Sequence, residues 1–294
     1  MQFNTDSEGF YIEYDQCQWE VGNLREEYNR RARDIIALGD KLILGISSGV
    51  DSQAALRSFM DQGIKIETAF LYMPGYNDIE FNNLKKLERA WQFKSHIIDI
   101  DPMACKEEIL DISKNLNIPP FQIIHSKFLS QLPDVNFLQG GDGPFITFVK
   151  GIAHFYEGYH TFEMSRKRAG DTLGRTAEYI LFDKTSEVVV STVKDDIMTA
   201  FINAHGLYTK QGVRNISWWD SFIKGMYYGK YWGKDLIYFP KMSGAENIDY
   251  VIQGPRHTYR KDFISVPLDQ LISDLLTTGG KYYCSSEIIN DSPN

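Results

Sequence analysis

Residues 41–52 read KLILGISSGVDS, and this stretch decides the fold. The apolar run 42–46 is typical of a buried parallel strand, and it stops at the small polar residues that follow. An apolar helical pattern begins directly afterwards and continues to Met60. In a strand–loop–helix unit of this kind, backbone N–H groups and a helix N-terminus can face a phosphate group. The stretch therefore predicts a phosphate site within an α/β fold.

The residue types of this loop fit the chemistry of a metal-bound phosphate. Ser47 and Ser52 offer hydroxyl donors to phosphate oxygens, and Gly49 lets the backbone turn tightly and approach a ligand. Asp51 would repel a phosphate, but it can hold Mg²⁺, which then bridges to phosphate oxygens. Neither G-x-x-x-x-G-K-[ST] nor G-x-G-x-x-G occurs in the sequence, which excludes two other phosphate-binding motifs.

The loop resembles the S-G-G-x-D-S pyrophosphate loop (PP-loop) of the ATP pyrophosphatase superfamily, also called adenine nucleotide alpha hydrolases. The resemblance implies a doubly wound parallel sheet of the HUP/PP-loop type. It also implies an enzyme that cleaves ATP between the α and β phosphates, adenylylates a substrate and releases pyrophosphate. The second glycine of the family pattern is Ser48 here, which fits only if this residue keeps a negative φ. The loop residues that the resemblance assigns to ATP are Gly45, Ile46, Ser47, Ser48, Gly49, Val50, Asp51 and Ser52.

A second glycine-rich loop, QGGDG at 139–143, follows the apolar strand 135–138. Because parallel strands end at one edge of a sheet, we expect Asp142 to share a metal ion with Asp51. The spacing resembles the synthetase domain of asparagine synthetases and their β-lactam-forming relatives, although the Asp-Glu pair of their second loop is missing here. Gly140, Gly141 and Asp142 are thus predicted to contact the nucleotide. A glycine turn capped by Asp142 is the alternative.

Other site candidates follow from the same resemblance. In relatives, backbone groups at the position of Leu71 and Tyr72 hold the adenine, and Phe70 or Tyr72 could stack on the base. Adenylyl transfer needs cations that stabilise charge on the α-phosphate and on the leaving pyrophosphate. We predict Lys241 and Arg256 as these catalytic cations, since both lie in loops with Gly and Pro. Further candidates are Lys150, Lys234 and His257, and for each cation a solvated surface position is the alternative.

Alternating strands and helices in the first half of the chain predict a doubly wound parallel sheet. After an N-terminal strand-like segment and a helix at 19–38, we expect strands at 42–46, 65–72, 95–100 and 135–138 and helices at 51–62, 77–92, 103–116 and near 125–131. A further helix is predicted to begin at Pro144.

The second half of the sequence changes in character. Ala177–Phe182 and Glu187–Thr192 are predicted to form a β-hairpin, and a helix is expected at 194–204. Residues 216–239 are rich in Trp and Tyr, which favours a core helix, with a substrate wall as the alternative. We therefore predict an ATP-binding α/β domain at 1–160 and a C-terminal α+β region, the substrate or accessory part, at 161–294.

Composition limits the partners and the compartment. The chain of 294 residues has 31 Lys and Arg against 39 Asp and Glu, a net charge of −8, which argues against a general nucleic-acid binder. Three widely spaced cysteines without C-x-x-C exclude an adjacent redox pair and fit a reducing compartment. No run approaches about 18 apolar residues, so neither a membrane span nor membrane binding is expected. We expect a cytoplasmic protein.

The resemblance implies an ATP-dependent ligase that adenylylates a substrate for attack by an amine or ammonia. The acceptor could be a small molecule or a nucleic acid, and a separate protein could supply ammonia or sulfur. One alternative is a sulfur-transferring enzyme of the sulfonucleotide reductase or RNA thiolase type, for which only Cys284, expected on a flexible tail, is a tempting thiol. It lacks the E-C-G-x-H context of the reductases. The other alternative is a non-catalytic nucleotide-binding protein. The sequence does not predict the oligomeric state.

Overall fold

The computed structural model describes residues 2–39, 41–116, 118–133, 135–140, 145–149, 152–157, 171, 179–208, 217–239, 248–253 and 257–291. The strands are β1 (Gln2–Asp6), β2 (Gly9–Tyr14), β3 (Leu42–Gly45), β4 (Glu67–Tyr72), β5 (Ser95–Asp99), β6 (Asn136–Gln139), β7 (Phe145–Val149), β8 (Ile152–Glu157), β9 (Tyr179–Leu181), β10 (His257–Pro267), β11 (Gly280–Tyr283) and β12 (Ser285–Asp291). The helices are α1 (Leu24–Ala37), α2 (Val50–Asp61), α3 (Asp78–Trp91), α4 (Lys106–Leu116), α5 (Pro120–Ser130), α6 (Ser186–Val193), α7 (Asp196–Tyr208), α8 (Ser217–Trp232), α9 (Ile248–Gln253) and α10 (Leu268–Thr277).

The central sheet has five parallel strands in the order β5-β4-β3-β6-β9. From β3 the chain first builds outward through β4 to β5, and then returns to the other side of β3 for β6 and β9. The order of the strands therefore reverses between β3 and β6. In open α/β sheets, ligands bind beyond the carboxyl ends of the strands at such a switch point.

Helices cover both faces of this sheet, as the alternation of its buried side chains requires. Leu44 and Phe70 face a core that includes residues of α1, α2, α6 and α8. Their neighbours Ile43 and Ala69 face a second core with residues of α4, α5 and α9. The predicted α/β class with a doubly wound parallel sheet is thus confirmed, and the arrangement is consistent with a HUP-type fold.

Two further sheets are antiparallel. One has the order β12-β10-β8-β7, and the other has the order β1-β2-β11. In both sheets, strands from near the end of the sequence pair with strands from earlier in the chain. Among the helices described, none is long and apolar enough to cross a membrane.

Two predictions of local structure were wrong. No helix begins at Pro144: the segment Phe145–Val149 is strand β7, which pairs with β8. The hairpin at 177–192 is also absent, because Tyr179–Leu181 pairs with β6 in the parallel sheet and Ser186–Val193 is helical. Every residue of α6 is buried, so its run of valines carries no helical periodicity in the sequence.

The same region bears on the division of the chain. Strand β9 lies beyond residue 160 in the sequence and completes the five-stranded sheet. Near the C-terminus, β11 pairs with β2 close to the N-terminus. The sheets therefore combine strands from both sides of residue 160, and the boundary between 1–160 and 161–294 stays a prediction.

Candidate functional site

The loop after β3 is closed by the hydroxyl group of Ser52. This oxygen accepts the backbone N–H of Ser47 at 3.0 Å, and it lies 3.0 Å from the carbonyl of Ser47 and 3.1 Å from that of Gly49. Ser52 is buried, whereas Ser47 and Gly49 are exposed. The hydroxyl of Ser47 lies 3.0 Å from that of Ser52 and accepts the N–H of Gly49 at 3.1 Å, so both serines help to shape the loop.

The backbone of the loop tolerates the serine that replaces the second family glycine. Among the described residues, Gln92 is the non-glycine residue with a positive φ, so Ser48 keeps the negative φ that the sequence comparison required. Gly49 has a φ of −72° and precedes the helix as its N-cap. The first-turn N–H groups of α2 have no acceptor within the helix and point out of its N-terminus.

Gln53 clamps this loop to a distant part of the chain. Its amide nitrogen donates to the carbonyls of Ser48 and Ile237, both at 2.8 Å, and its oxygen accepts the N–H of Ile237 at 2.9 Å. The side chain is fully buried. The three hydrogen bonds of this one side-chain amide therefore hold Ile237 beside the loop that follows β3.

The second glycine loop meets the first one at the switch point of the sheet. Gln139 pairs with Gly45 at the ends of β6 and β3, so both loops leave the same edge, as the sequence predicted. A Cβ atom on Gly140 would lie 2.8 Å from the Cα atom of Ser52. Only glycine allows this approach between Gly140 and the first turn of α2. Gly141 and Asp142 lie outside the described residues.

Asp51 stands on the first turn of α2 and faces two polar side chains of α8. The hydroxyl of Tyr228 donates to Asp51 Oδ1 at 2.9 Å. Lys224 Nζ lies 3.6 Å from Asp51 Oδ2, and the Lys224 side chain is only 8% exposed. Because residues four apart lie on one face of a helix, α8 presents the cation and the hydroxyl side by side.

Tyr28 of α1 extends this network. Its hydroxyl lies 2.8 Å from that of Tyr228, and both side chains are buried. Burial, followed by the nearby carboxylates of Asp183 and Asp51, raises the pKa of Tyr28 well above its usual value. Burial and Asp51 do the same to the pKa of Tyr228. Both phenols therefore stay protonated and can act as donors at neutral pH.

The side chain of Asn77 forms hydrogen bonds with the backbone at the end of β4. Its amide donates to the carbonyl of Leu71 and accepts the N–H of Met73, each at 2.8 Å. Tyr72 stacks on Phe81, with ring centroids 4.4 Å apart, and donates a hydrogen bond to Asp78 at 2.7 Å. This bond raises the pKa of Tyr72 and lowers that of Asp78.

Other predicted site residues differ in their placement. Phe70 is buried in the core, so it cannot stack on a base. A Cβ atom on Gly45 would lie 2.3 Å from the ring of Phe137, which explains the glycine by packing. Lys234 is exposed in the 3₁₀ turn Gly233–Asp235. His257 begins β10. The remaining predicted cations, Lys150, Lys241 and Arg256, lie outside the described residues.

Sequence reasoning missed four polar residues of the site, namely Tyr28, Gln53, Lys224 and Tyr228. Lys224 and Tyr228 lie in the aromatic segment that was interpreted as core, and Tyr227, Tyr228 and Trp232 are indeed buried there. The available signal was a lysine four residues before a tyrosine in a helix rich in aromatic residues. Such a pair needs a partner if it is buried.

The donor set around Asp51 fits Mg²⁺ together with a nucleotide better than a metal held by protein alone. No cluster of three His, Cys, Asp or Glu side chains that could hold a metal occurs in the described part of the chain. Mg²⁺ is usually bound by one or two carboxylates, with substrate phosphates and water completing its shell. Asp51 could supply such a carboxylate at the first turn of α2.

Comparisons with known proteins identify no family. No protein-family model matches the sequence, and no curated protein matches it. Among solved structures, the fold is similar to that of the NMN synthetase from Francisella tularensis, with 12% sequence identity and a TM-score of 0.35. The match covers 74% of this chain and 97% of that chain. A likeness this distant carries no conclusion about function.

Proposed function

We propose that the chain is a PP-loop ATP pyrophosphatase that acts as an adenylate-forming ligase. It would cleave Mg²⁺-bound ATP to AMP and pyrophosphate and adenylylate a substrate for attack by an amine or ammonia. The observation that carries the proposal is the loop from Ser47 to Ser52. It combines the family's sequence pattern with a parallel strand before it, a helix after it and a carboxylate at the switch point of the sheet.

The polar groups of the loop support a division of roles. Ser47 is an exposed residue, and its hydroxyl and the first-turn N–H groups of α2 suit phosphate oxygens. Asp51 would hold Mg²⁺, and the metal would supply charge stabilisation for the leaving pyrophosphate. The remaining loop residues shape the backbone around the phosphates. Leu71 and Tyr72 would border the adenine, as in the relatives that the loop resembles.

Lys224 joins the candidates for the catalytic cation. Its buried ammonium group lies beside Asp51, where phosphate oxygens would be close enough to draw it away from the carboxylate. Lys241 and Arg256 keep the roles predicted from the sequence.

The asparagine synthetase-like version of this proposal gives Gly140, Gly141 and Asp142 to the nucleotide and makes Asp142 a second metal ligand. The contact between Gly140 and the first turn of α2 supports this version. We also propose a cytoplasmic location and an acceptor that is a small molecule or a nucleic acid, with a separate protein as the ammonia or sulfur donor.

The sulfur-transferring alternative has less support from the thiols. Burial, followed by Glu187 and Glu27, raises the pKa of Cys17 to about 11, which disfavours the reactive thiolate. Cys284 is not on a flexible tail: it lies partly buried between β11 and β12, so the expectation of a free-swinging thiol was wrong. A ligase without a cysteine nucleophile fits these positions better.

The proposal is tested by the products of ATP turnover. The purified protein is incubated with ATP, Mg²⁺, a panel of carboxylic acids and hydroxylamine, which traps an acyl adenylate as a hydroxamate. We expect AMP and pyrophosphate in equal amounts, together with the hydroxamate of one acid, and no turnover when the acids are omitted. Formation of ADP and phosphate would contradict the adenylylation mechanism.

A further inference from the structure

Two buried tyrosines form a chain of hydrogen bonds that ends on Asp51. The hydroxyl of Tyr228 donates to Asp51 Oδ1 at 2.9 Å. Its single hydrogen is thus directed at the carboxylate, so the hydroxyl of Tyr28, 2.8 Å away, must be the donor within the tyrosine pair. The direction of the chain is therefore fixed: Tyr28 donates to Tyr228, and Tyr228 donates to Asp51.

Packing alone gives no reason for these hydroxyl groups. The ring of Tyr28 lies against Phe182 and Trp232, at centroid distances of 5.0 and 5.4 Å, and that of Tyr228 lies against Trp232 at 5.6 Å. Phenylalanine would make the same ring contacts without burying a polar group, which is costly unless it is hydrogen-bonded. The purpose of the hydroxyls must lie in what they bind, and the chain they form leads to one carboxylate oxygen.

We propose that Tyr228 is a positioning residue that fixes the carboxylate of Asp51 for Mg²⁺, and that Tyr28 supports it from behind. This inference rests on the proposed function, because it assumes that Asp51 holds the metal of an ATP complex. Residues that orient a metal ligand raise the affinity for the metal without touching it.

The two oxygens of Asp51 have different surroundings, as such a role requires. Oδ1 is bound to Tyr228, whereas Oδ2 faces a cation, the ammonium group of Lys224, at 3.6 Å. Oδ1 therefore accepts a hydrogen bond from a neutral hydroxyl, whereas Oδ2 lies in an ion pair, at a position where positive charge is already favoured. Hydrogen bonds in a chain polarise one another, so Tyr28 strengthens the grip of Tyr228 on Oδ1.

The experiment measures ATP affinity by calorimetry in Mg²⁺ and again in EDTA. For Tyr228→Phe we expect affinity in Mg²⁺ to fall by about 10- to 100-fold, while affinity in EDTA stays unchanged. Tyr28→Phe should weaken the Mg²⁺-dependent affinity less, because Tyr228 still donates to Asp51. Tyr282→Phe is the matched control. Tyr282 lies in β11, in another sheet, and its hydroxyl donates to Asp274 of α10 at 2.9 Å. Loss of this hydroxyl should change neither affinity.

The outcomes separate this inference from the proposed function. If Asp51→Ala loses Mg²⁺-dependent binding and Tyr228→Phe binds like the wild type, the positioning role is wrong and the proposed function stands. If Asp51→Ala itself binds normally, the proposed function fails first. If the ATP affinity of Tyr228→Phe falls equally in Mg²⁺ and in EDTA, Tyr228 acts through packing and the positioning role is wrong. If Tyr228→Phe does not fold, the Tyr28→Phe variant is used for the test instead. An ATP affinity in Mg²⁺ equal to that of the wild type in this variant would overturn the inference.

Discussion

At the residue scale, the shape of the candidate site depends on a few residues that are fixed by hydrogen bonds or by close backbone contacts. Ser52 uses its hydroxyl to close the loop, and Gln53 satisfies three backbone groups at once. Gly140 brings two loops into contact because it has no Cβ atom. Each of these residues acts on the shape of the loop, whereas Asp51 and Ser47 carry the chemistry that the proposed function assigns to it.

Gly140→Ala tests the contact between the two loops. The added Cβ would lie 2.8 Å from Ser52 Cα, a backbone atom that can move only with its helix. We expect the free energy of unfolding to fall by about 1–3 kcal/mol, as in other overpacked sites. ATP affinity should fall as well, because the first turn of α2 must shift. Denaturant unfolding and calorimetry measure the two effects.

The control for this change is Gly225→Ala in α8. A Cβ at that position would meet only Tyr238, at an ordinary 3.9 Å. Replacing a helical glycine there should raise stability by about 0.5–1 kcal/mol. A Gly140→Ala protein as stable as the wild type would show that the loops do not touch as described.

At the element scale, the site is built where α2 meets α8. The N-terminus of α2 supplies the loop, Asp51 and Gln53, and α8 brings Lys224 and Tyr228 against it. The chain that follows α8 then returns to Gln53 at Ile237. Two elements from opposite halves of the sequence thus form one wall, and the clamp at Gln53 fixes how they meet.

Gln53→Leu tests this clamp. The substitution keeps the side chain at a similar size but leaves the polar groups of Ser48 and Ile237 without their buried partner. We expect faster hydrogen–deuterium exchange at the amide of Ile237 and a loss of about 1–3 kcal/mol in stability. The control is Gln62→Leu, directly after the same helix. The Gln62 side chain is half-buried and accepts a hydrogen bond from Arg33 at 2.6 Å. Unchanged protection of the Ile237 amide in Gln53→Leu would contradict the clamp.

At the scale of the whole molecule, the local patterns of the sequence predicted the central sheet well. Strands β3 to β6 and helices α1 to α5 lie where periodicity placed them, apart from a few residues at their ends. Strand β9 was predicted as a strand but with the wrong partner, and helix α6 was predicted as a strand. The uniform burial of α6 removes the periodicity that distinguishes a helix from a short strand. The loop between β3 and α2 was predicted because its small polar residues follow an apolar strand and precede an apolar helical pattern.

The partners of the loop could not be predicted in the same way. Tyr228 reaches Asp51 across 177 residues of sequence, and Gln53 reaches Ile237 across 184. Contacts of this range depend on how complete elements pack, and no local pattern records them. The sequence therefore predicted the loop, but not that α8 packs against it.

The most direct test of the central claim is calorimetric titration of the protein with ATP and Mg²⁺. We expect the wild type to bind, and Asp51→Ala to remain folded but lose the Mg²⁺-dependent part of the affinity. Its thermal unfolding midpoint should fall, because Tyr228 and the buried Lys224 lose this partner. Asp269→Ala is the matched control, since Asp269 is likewise the second residue of a helix, α10, and is exposed. It should bind like the wild type. Equal affinity in Asp51→Ala and the wild type would contradict the account.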